Sequence, residues 1–135
     1  MRQRIIICDI DKPRITSHNE ELRWICESLG LITGRDVENI SFKIMCKLLE
    51  KFRNQSIVGT EIIASALKVE APRVNHHIRN LIESGIIFRE KRKIALRGRS
   101  LTAAIEEMRK DSERMFNELI GVSKKIDISF GLEKN

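Results

Sequence analysis

The chain has no tyrosine and one tryptophan among its 135 residues. Proteins that hold single-stranded nucleic acid stack its bases on aromatic side chains, so this composition argues against that mode of binding. Cysteine is also scarce, because Cys8, Cys26 and Cys46 are widely spaced and odd in number. Such a set does not favour a disulfide framework, and each thiol lies among apolar neighbours, as a small buried hydrophobe would.

Long hydrophobic runs are missing as well. The longest is the stretch IIIC at residues 5–8, far below the roughly 18–20 apolar residues that span a bilayer. The first residues also lack the hydrophobic region of a signal peptide. We therefore expect a cytoplasmic protein with no membrane partner.

Positive charge is abundant, and its position matters more than its total. The net charge is +6, from 25 basic and 19 acidic residues. Residues 71–99 hold eight of the basic residues and two of the acidic ones, so the rest of the chain carries 17 of each. This concentration is typical of a surface that binds phosphates.

The apolar spacing predicts a mainly helical fold. Residues 4–8 are predicted to form a short strand. Ser17 and Glu20 fit a capping box at the start of a helix that ends near Gly30. Asp36 is predicted to cap a second helix that ends near Phe52, and a short helix follows over 60–67.

Residues 71–96 form the most distinctive predicted unit. Pro72 suits the first turn of a helix over 71–84, and Gly85 suits the position after its end. A β-hairpin follows, with strands 86–88 and 94–96 and a basic tip at 89–93. A short helix, a three-residue turn, a longer helix and a basic hairpin together predict a winged helix-turn-helix.

A long helix is predicted from Leu101, with Ser100 as its cap. Its apolar residues recur every three or four positions, a spacing typical of a helix-pairing surface. We predict that this seam forms a homodimer; the alternative is that it packs only on its own domain. The predicted dimerisation residues are Leu101, Ile105, Met108, Met115, Leu119, Val122 and Ile126.

These patterns divide the chain into three parts. Residues 1–34 form an N-terminal strand and helix extension, residues 35–99 a winged helix, and residues 100–130 a coiled-coil-like dimerisation helix. The predicted fold class is thus mainly α with a small β-hairpin wing.

The stretch APRVNHHIRNLIESGII at residues 71–87 resembles the recognition helix of the ArsR-type winged-helix regulators. Pro72, Val74, His77, Leu81 and Gly85 coincide with the pattern x-P-x-V-S-x-H-L-x-x-L-x-x-x-G-L-V. The resemblance extends over about residues 36–120, and it implies a DNA-binding transcriptional regulator associated with the nucleoid.

Helical geometry gives the adjacent histidines different positions. His77 falls on the apolar face with Val74 and Ile78, where we expect a structural role with one ring nitrogen bonded to a neighbour or to backbone. His76 falls on the polar face, where it either contacts DNA or remains solvated. The predicted DNA contacts are Arg73, Asn75, His76, Arg79 and Asn80 on the helix, and Arg89, Lys91, Arg92, Lys93 and Arg97 on the hairpin.

Metal binding and catalysis are less well supported. Side chains at i and i+1 point about 100° apart on a helix, so His76 and His77 are poorly placed to bind the same metal ion. The sequence has no Gly-rich phosphate loop, HExxH motif or nucleophile elbow. We expect neither enzymatic activity nor a cofactor. No cluster of residues in the sequence identifies a small-molecule effector.

The predicted function is sequence-dependent binding of duplex DNA by a homodimer, with helix 71–84 in the major groove. Its two-fold symmetry predicts half-sites roughly 34–36 Å apart. Two alternatives remain open: a winged-helix module that binds an acidic protein, and a chromatin-type protein that coats any duplex.

Overall fold

The computed structural model describes residues 2–14, 17–32 and 36–132. Within these ranges the chain is mainly helical, with a small antiparallel sheet and a long C-terminal helix, as the sequence predicts. The sheet has three strands, one more than the predicted hairpin. The elements are α1 (His18–Ser28), α2 (Ile40–Phe52), β1 (Val58–Gly59), α3 (Thr60–Leu67), α4 (Ala71–Ser84), β2 (Ile87–Glu90), β3 (Lys93–Leu96), a 3-10 turn (Arg97–Arg99) and α5 (Leu101–Phe130).

The core lies where α2, α3 and α4 pack on one another and on the sheet. Helix α4 contributes Val74, Ile78 and Leu81, which recur at helical spacing and are all buried. Ile44 of α2 and Ile94 of β3 are fully buried against the same cluster. Burial of this apolar surface is the main force that fixes α4 in place.

The ends of α4 and α5 are confirmed where the sequence predicts them. Pro72 lies in the first turn of α4, and Gly85 ends the helix with a φ of +93°. The positive φ favours glycine at this position, and a Cβ there would also displace the ends of the Gln3 and Arg97 side chains. At α5, the Ser100 hydroxyl accepts a hydrogen bond from the backbone N–H of Ala103.

Helix α2 begins three residues later than predicted, at Ile40 rather than directly after Asp36. The Asp36 carboxylate accepts hydrogen bonds from the N–H groups of Ile40 (2.8 Å) and Ser41 (2.7 Å). Asp36 therefore satisfies the first free donors of the helix, as a cap does. Residues 37–39 lie outside the helix, and Asn39 has a left-handed φ of +57°.

The hairpin is tighter than predicted. Strands β2 and β3 pair from Ile87 with Leu96 to Glu90 with Lys93. Only Lys91 and Arg92 connect them, both with positive φ, so the turn is of the type I′ kind that suits the twist of a hairpin. Strand β1 pairs with the other edge of β3, which gives the sheet order β1-β3-β2 and ties the hairpin to the residues before α3.

The strand predicted at residues 4–8 is wrong. These residues form no strand, because they bond to helix ends rather than to a neighbouring strand. The Arg4 N–H donates to the carbonyl of Glu83 (2.8 Å), and the Cys8 N–H donates to that of Ser28 (2.7 Å). The N-terminal segment thus joins the end of α4 to the end of α1. The predicted boundary at residues 34 and 35 lies outside the described residues.

Helix α5 has two different parts. Near its start, Ala104 and Met108 are buried within the chain, and Leu101 packs against the same core. Further on, large apolar side chains such as Leu119 (64% exposed) and Phe130 (75% exposed) face solvent. No helix among the described residues combines the length and the apolar character needed to cross a membrane.

Candidate nucleic-acid interface

Helix α4 presents a polar face opposite its buried stripe. Arg73, His76, Arg79 and Asn80 are exposed, and Asn75 is partly exposed. The division of this helix into an apolar and a polar face therefore follows the prediction. The polar face carries groups that can donate hydrogen bonds to phosphate oxygens or to base edges.

His77 is held by α2. Its Nδ1 lies 2.8 Å from the Ser41 hydroxyl, in the first turn of α2 beside the Asp36 cap. Burial lowers the pKa of His77, while the nearby Asp36 carboxylate works in the opposite direction. The neutral imidazole is thus favoured, and its bond to Ser41 matches the structural role predicted for it.

His76 occupies a different environment from its neighbour. It is exposed, and its ring centroid lies 5.4 Å from that of His77 with the two rings edge to face. Within the described ranges, no group of three or more His, Cys, Asp or Glu side chains gathers as a metal site would require. The position of His76 leaves its ring accessible to a ligand that approaches the polar face of α4.

Arg73 forms an ion pair at the edge of this face. Its Nη2 lies 3.2 Å from the Glu38 carboxylate, and the two side chains are 49% and 62% exposed. An exposed pair of this kind contributes only about 0–1 kcal/mol, so a phosphate or base can replace Glu38 at little cost. Sequence reasoning did not identify this acidic neighbour, because it lies 35 positions away.

A cleft of about 530 Å³ runs along one side of α4. Arg73, His76 and Asn80 line it from α4, whereas Asn75 and Arg79 do not. The opposite wall contains the N-terminal segment, residues 29–31 and residues 36–38. Three of the five predicted helix contacts therefore share a cleft with the N-terminal extension, and Arg4 in that extension is a cation that the sequence reasoning did not select.

The hairpin carries the densest positive charge. Residues 89–93 are all exposed, and four of these five residues are basic. The two-residue turn projects Lys91 and Arg92 at its tip, and Lys93 and Arg89 lie on the strands beside it. This arrangement suits non-specific contact with a phosphate backbone.

Arg97 makes several polar contacts within the chain. Its Nη1 lies 2.6 Å from the Asp111 carboxylate and 3.1 Å from the Gly85 carbonyl, and its Nη2 lies 3.6 Å from Glu107. The Gln3 side-chain amide also donates to Asp111 (2.8 Å). Its guanidinium thus joins α4 to α5, and the contact of Arg97 with DNA stays a prediction.

The bond from Arg97 is also the main reason that the pKa of Asp111 is lowered, and the bond from Gln3 adds to it. Sequence reasoning missed Gln3 and Asp111, because their partners are distant in the chain.

Neither a scan against protein-family models nor searches of curated proteins and of solved structures found a match to this chain.

Proposed function

We propose that this protein is a winged-helix regulator of transcription that binds duplex DNA as a homodimer. One observation carries the proposal: the exposed polar face of α4 is followed directly by the exposed basic hairpin. A helix that fits the major groove and a cationic loop that contacts the adjacent backbone are the two parts of such an interface.

The local architecture supports this reading. Helices α3 and α4 are joined by the three residues 68–70, and Lys68 at the turn has a φ of +55°. The apolar stripe of α4 is buried, which leaves its polar face outward and fixes its direction. The order of helix, two-helix unit and hairpin is the order that the resemblance to ArsR-type regulators implies.

The side chains divide into two proposed roles. On α4, Arg73, Asn75, His76, Arg79 and Asn80 are the proposed contacts to base edges or to nearby phosphates. Arginine can donate two hydrogen bonds to guanine, and asparagine can pair with adenine. On the hairpin, Arg89, Lys91, Arg92 and Lys93 neutralise phosphates, which supplies affinity without reading sequence.

The homodimer is proposed to form through the exposed part of α5. Leu101 and Met108 already contribute to the core of their own chain, so the pairing surface is carried by the residues that follow. Two identical α4 helices related by two-fold symmetry would read a palindrome with half-sites roughly 34–36 Å apart.

Selection from a pool of genomic duplex fragments tests this proposal. The purified protein is incubated with the pool at several salt concentrations, and the bound fraction is sequenced. Enrichment of a palindrome is the expected result. Binding without enrichment would replace the regulator with a protein that coats DNA, and absence of binding at low salt would favour the module that binds an acidic protein.

A further inference from the structure

The exposed part of α5 carries an apolar surface that no other described part of the chain covers. Leu119, Val122 and Ile126 are 64%, 56% and 49% exposed, and Met115 is partly exposed on the same stripe. In heptad notation, Leu119 and Ile126 occupy a positions, whereas Met115 and Val122 occupy d positions. Surfaces of this kind are stable in water when a second helix covers them.

The two ends of this surface are polar in a matched way. Ser112 continues the a positions toward the N-terminus, and Ser129 continues the d positions toward the C-terminus. If two α5 helices run antiparallel about a centre between Ile120 and Gly121, Leu119 meets Val122 of the partner subunit. In the same register Met115 meets Ile126 of the partner subunit, and Ser112 meets Ser129 of the partner subunit. Every layer then pairs apolar with apolar or polar with polar.

The charges beside the seam distinguish the two possible orientations. In antiparallel coils the g positions of the two helices face each other along one side of the seam, and in this register Glu118 faces Lys125 of the partner subunit in two equivalent contacts on that side. In a parallel pair, g positions face e positions, which would place Glu118 beside a serine and Lys125 beside a phenylalanine. Charges that flank the seam select orientation, so the antiparallel pair is favoured.

We infer that a second copy of this chain covers α5 in an antiparallel coil centred between Ile120 and Gly121. This inference rests on the homodimer of the proposed function and adds its orientation and register. Glu118 is 75% exposed and lies 4.0 Å from Arg114 of its own helix, so its carboxylate remains accessible to the partner. Lys125 is exposed as well.

The register also sets the distance between the two α4 helices. Arg97 bonds both the Gly85 carbonyl and Asp111, so the end of α4 lies level with Asp111 on α5. At 1.5 Å per helical residue, the two Asp111 positions lie roughly 29 Å apart along an antiparallel coil. A sideways offset of about 8–10 Å between two packed helices brings the separation to roughly 30 Å, a few ångströms below the repeat of about 34–36 Å between successive major grooves. A parallel coil would instead bring both α4 ends to the same level.

Charge-swapped variants test the orientation directly. Glu118→Lys and Lys125→Glu are prepared separately, one of them isotope-labelled, and are mixed before native mass spectrometry. In an antiparallel coil each variant repels a second copy of itself, and the mixed pair is attractive at both of its Glu118–Lys125 contacts. We expect the ratio of heterodimer to homodimer to rise roughly tenfold above the statistical value.

Glu113→Lys and Lys124→Glu provide a matched control, because they make the same charge changes at exposed positions away from the seam. Their mixture is expected to stay statistical. Statistical mixing of both pairs, with dimers intact, would overturn the antiparallel register and leave the proposed function standing. A wild-type monomer at micromolar concentration would overturn the pairing itself. Duplex binding by the wild type, measured in parallel, reports separately on the proposed function.

Discussion

Arg97 and Asp111 form a charged hydrogen bond of 2.6 Å, and the same Arg97 nitrogen donates to the carbonyl of Gly85 at 3.1 Å. One guanidinium therefore joins the end of α4 to α5. The two side chains are only 25% and 18% exposed, so solvent screens the contact weakly. This tie sets the direction of the proposed DNA-binding helix relative to the proposed pairing helix.

Asp111→Asn tests this tie through stability. Hydrogen bonds to charged groups contribute about 1.5–3 kcal/mol, so we expect the free energy of unfolding in urea to fall by about 1–2 kcal/mol. Because the pKa of Asp111 is lowered in the folded chain, its contribution is present above the unfolded value of about 3.9 and is lost as the pH falls through the folded value. The free energy of unfolding of the variant should therefore fall less than that of the wild type as the pH is lowered. Lys110→Ala, 70% exposed next to Asp111, should change stability little; equal losses in both variants would contradict the tie.

His77 also makes the stability of the fold depend on pH, and the sign of this dependence follows from the burial of its ring. Burial lowers the pKa of His77 in the folded chain. At pH values above the unfolded pKa of about 6.5 the ring is neutral in both states, and its burial then costs no proton. Stability should decline as the pH falls from that value through the folded pKa. His77→Asn keeps a polar group near Nδ1 but does not titrate, so its unfolding free energy should decline less over this range. An unchanged decline in the variant would assign the effect to other groups.

Ser41→Ala, which removes the hydroxyl partner of His77, should lower the free energy of unfolding by about 1 kcal/mol at neutral pH.

The hairpin lysines should control the salt dependence of DNA binding. If Lys91 and Lys93 each neutralise one phosphate, Lys91→Ala with Lys93→Ala should reduce the slope of log K against log salt by about 1.8. Fluorescence anisotropy on a random duplex measures that slope. Lys43→Ala with Lys124→Ala removes the same charge from exposed positions elsewhere and should leave the slope unchanged. If the hairpin variant also keeps the wild-type slope, the hairpin does not contact phosphate.

Arg73→Ala should distinguish base reading from phosphate contact. A bidentate contact to one guanine is worth about 1–3 kcal/mol, so the loss of affinity should be concentrated at one base position of the selected site. Binding to a panel of single-base variants measures this. Equal weakening on every sequence would make Arg73 a phosphate contact. Glu38→Ala removes only the ion-pair partner of Arg73 and should retain the base preference.

Leu119 and Met108 should respond differently to substitution, although both belong to the predicted seam. Leu119 is 64% exposed, so Leu119→Asp should produce a folded monomer in sedimentation experiments. Met108 is 3% exposed within its own chain, so Met108→Ala should lower the free energy of unfolding by about 2–4 kcal/mol. A Leu119→Asp protein that remains dimeric would rule out the exposed part of α5 as the interface.

Local signals made much of the fold predictable. Ser100, Pro72 and Gly85 mark helix ends through their own backbone and side-chain chemistry, and the structure has those ends in place. The apolar stripe of α4 was equally predictable from the sequence, because its spacing follows from the period of the helix itself. The seam of α5 was predicted as one surface, whereas its first part is buried within the chain, since periodicity does not reveal which neighbour covers a stripe.

Contacts between distant residues account for the errors. The run IIIC at residues 5–8 has the composition of a strand, but it lies beside helix ends and has no strand partner. The bond from Arg97 to Asp111 was not predicted, because the two residues lie 14 positions apart. The pairing of β1 with β3 and the cleft beside α4 likewise depend on tertiary packing, which composition and spacing do not encode.

The central claim is that α4 and the hairpin together bind duplex DNA. An NMR titration of the isotope-labelled protein with a short duplex tests it most directly, by mapping which backbone amides respond. We expect the perturbed amides to concentrate in residues 71–84 and 87–96, with no comparable change over residues 115–130. Perturbation confined to other regions, or no perturbation at low salt, would contradict it.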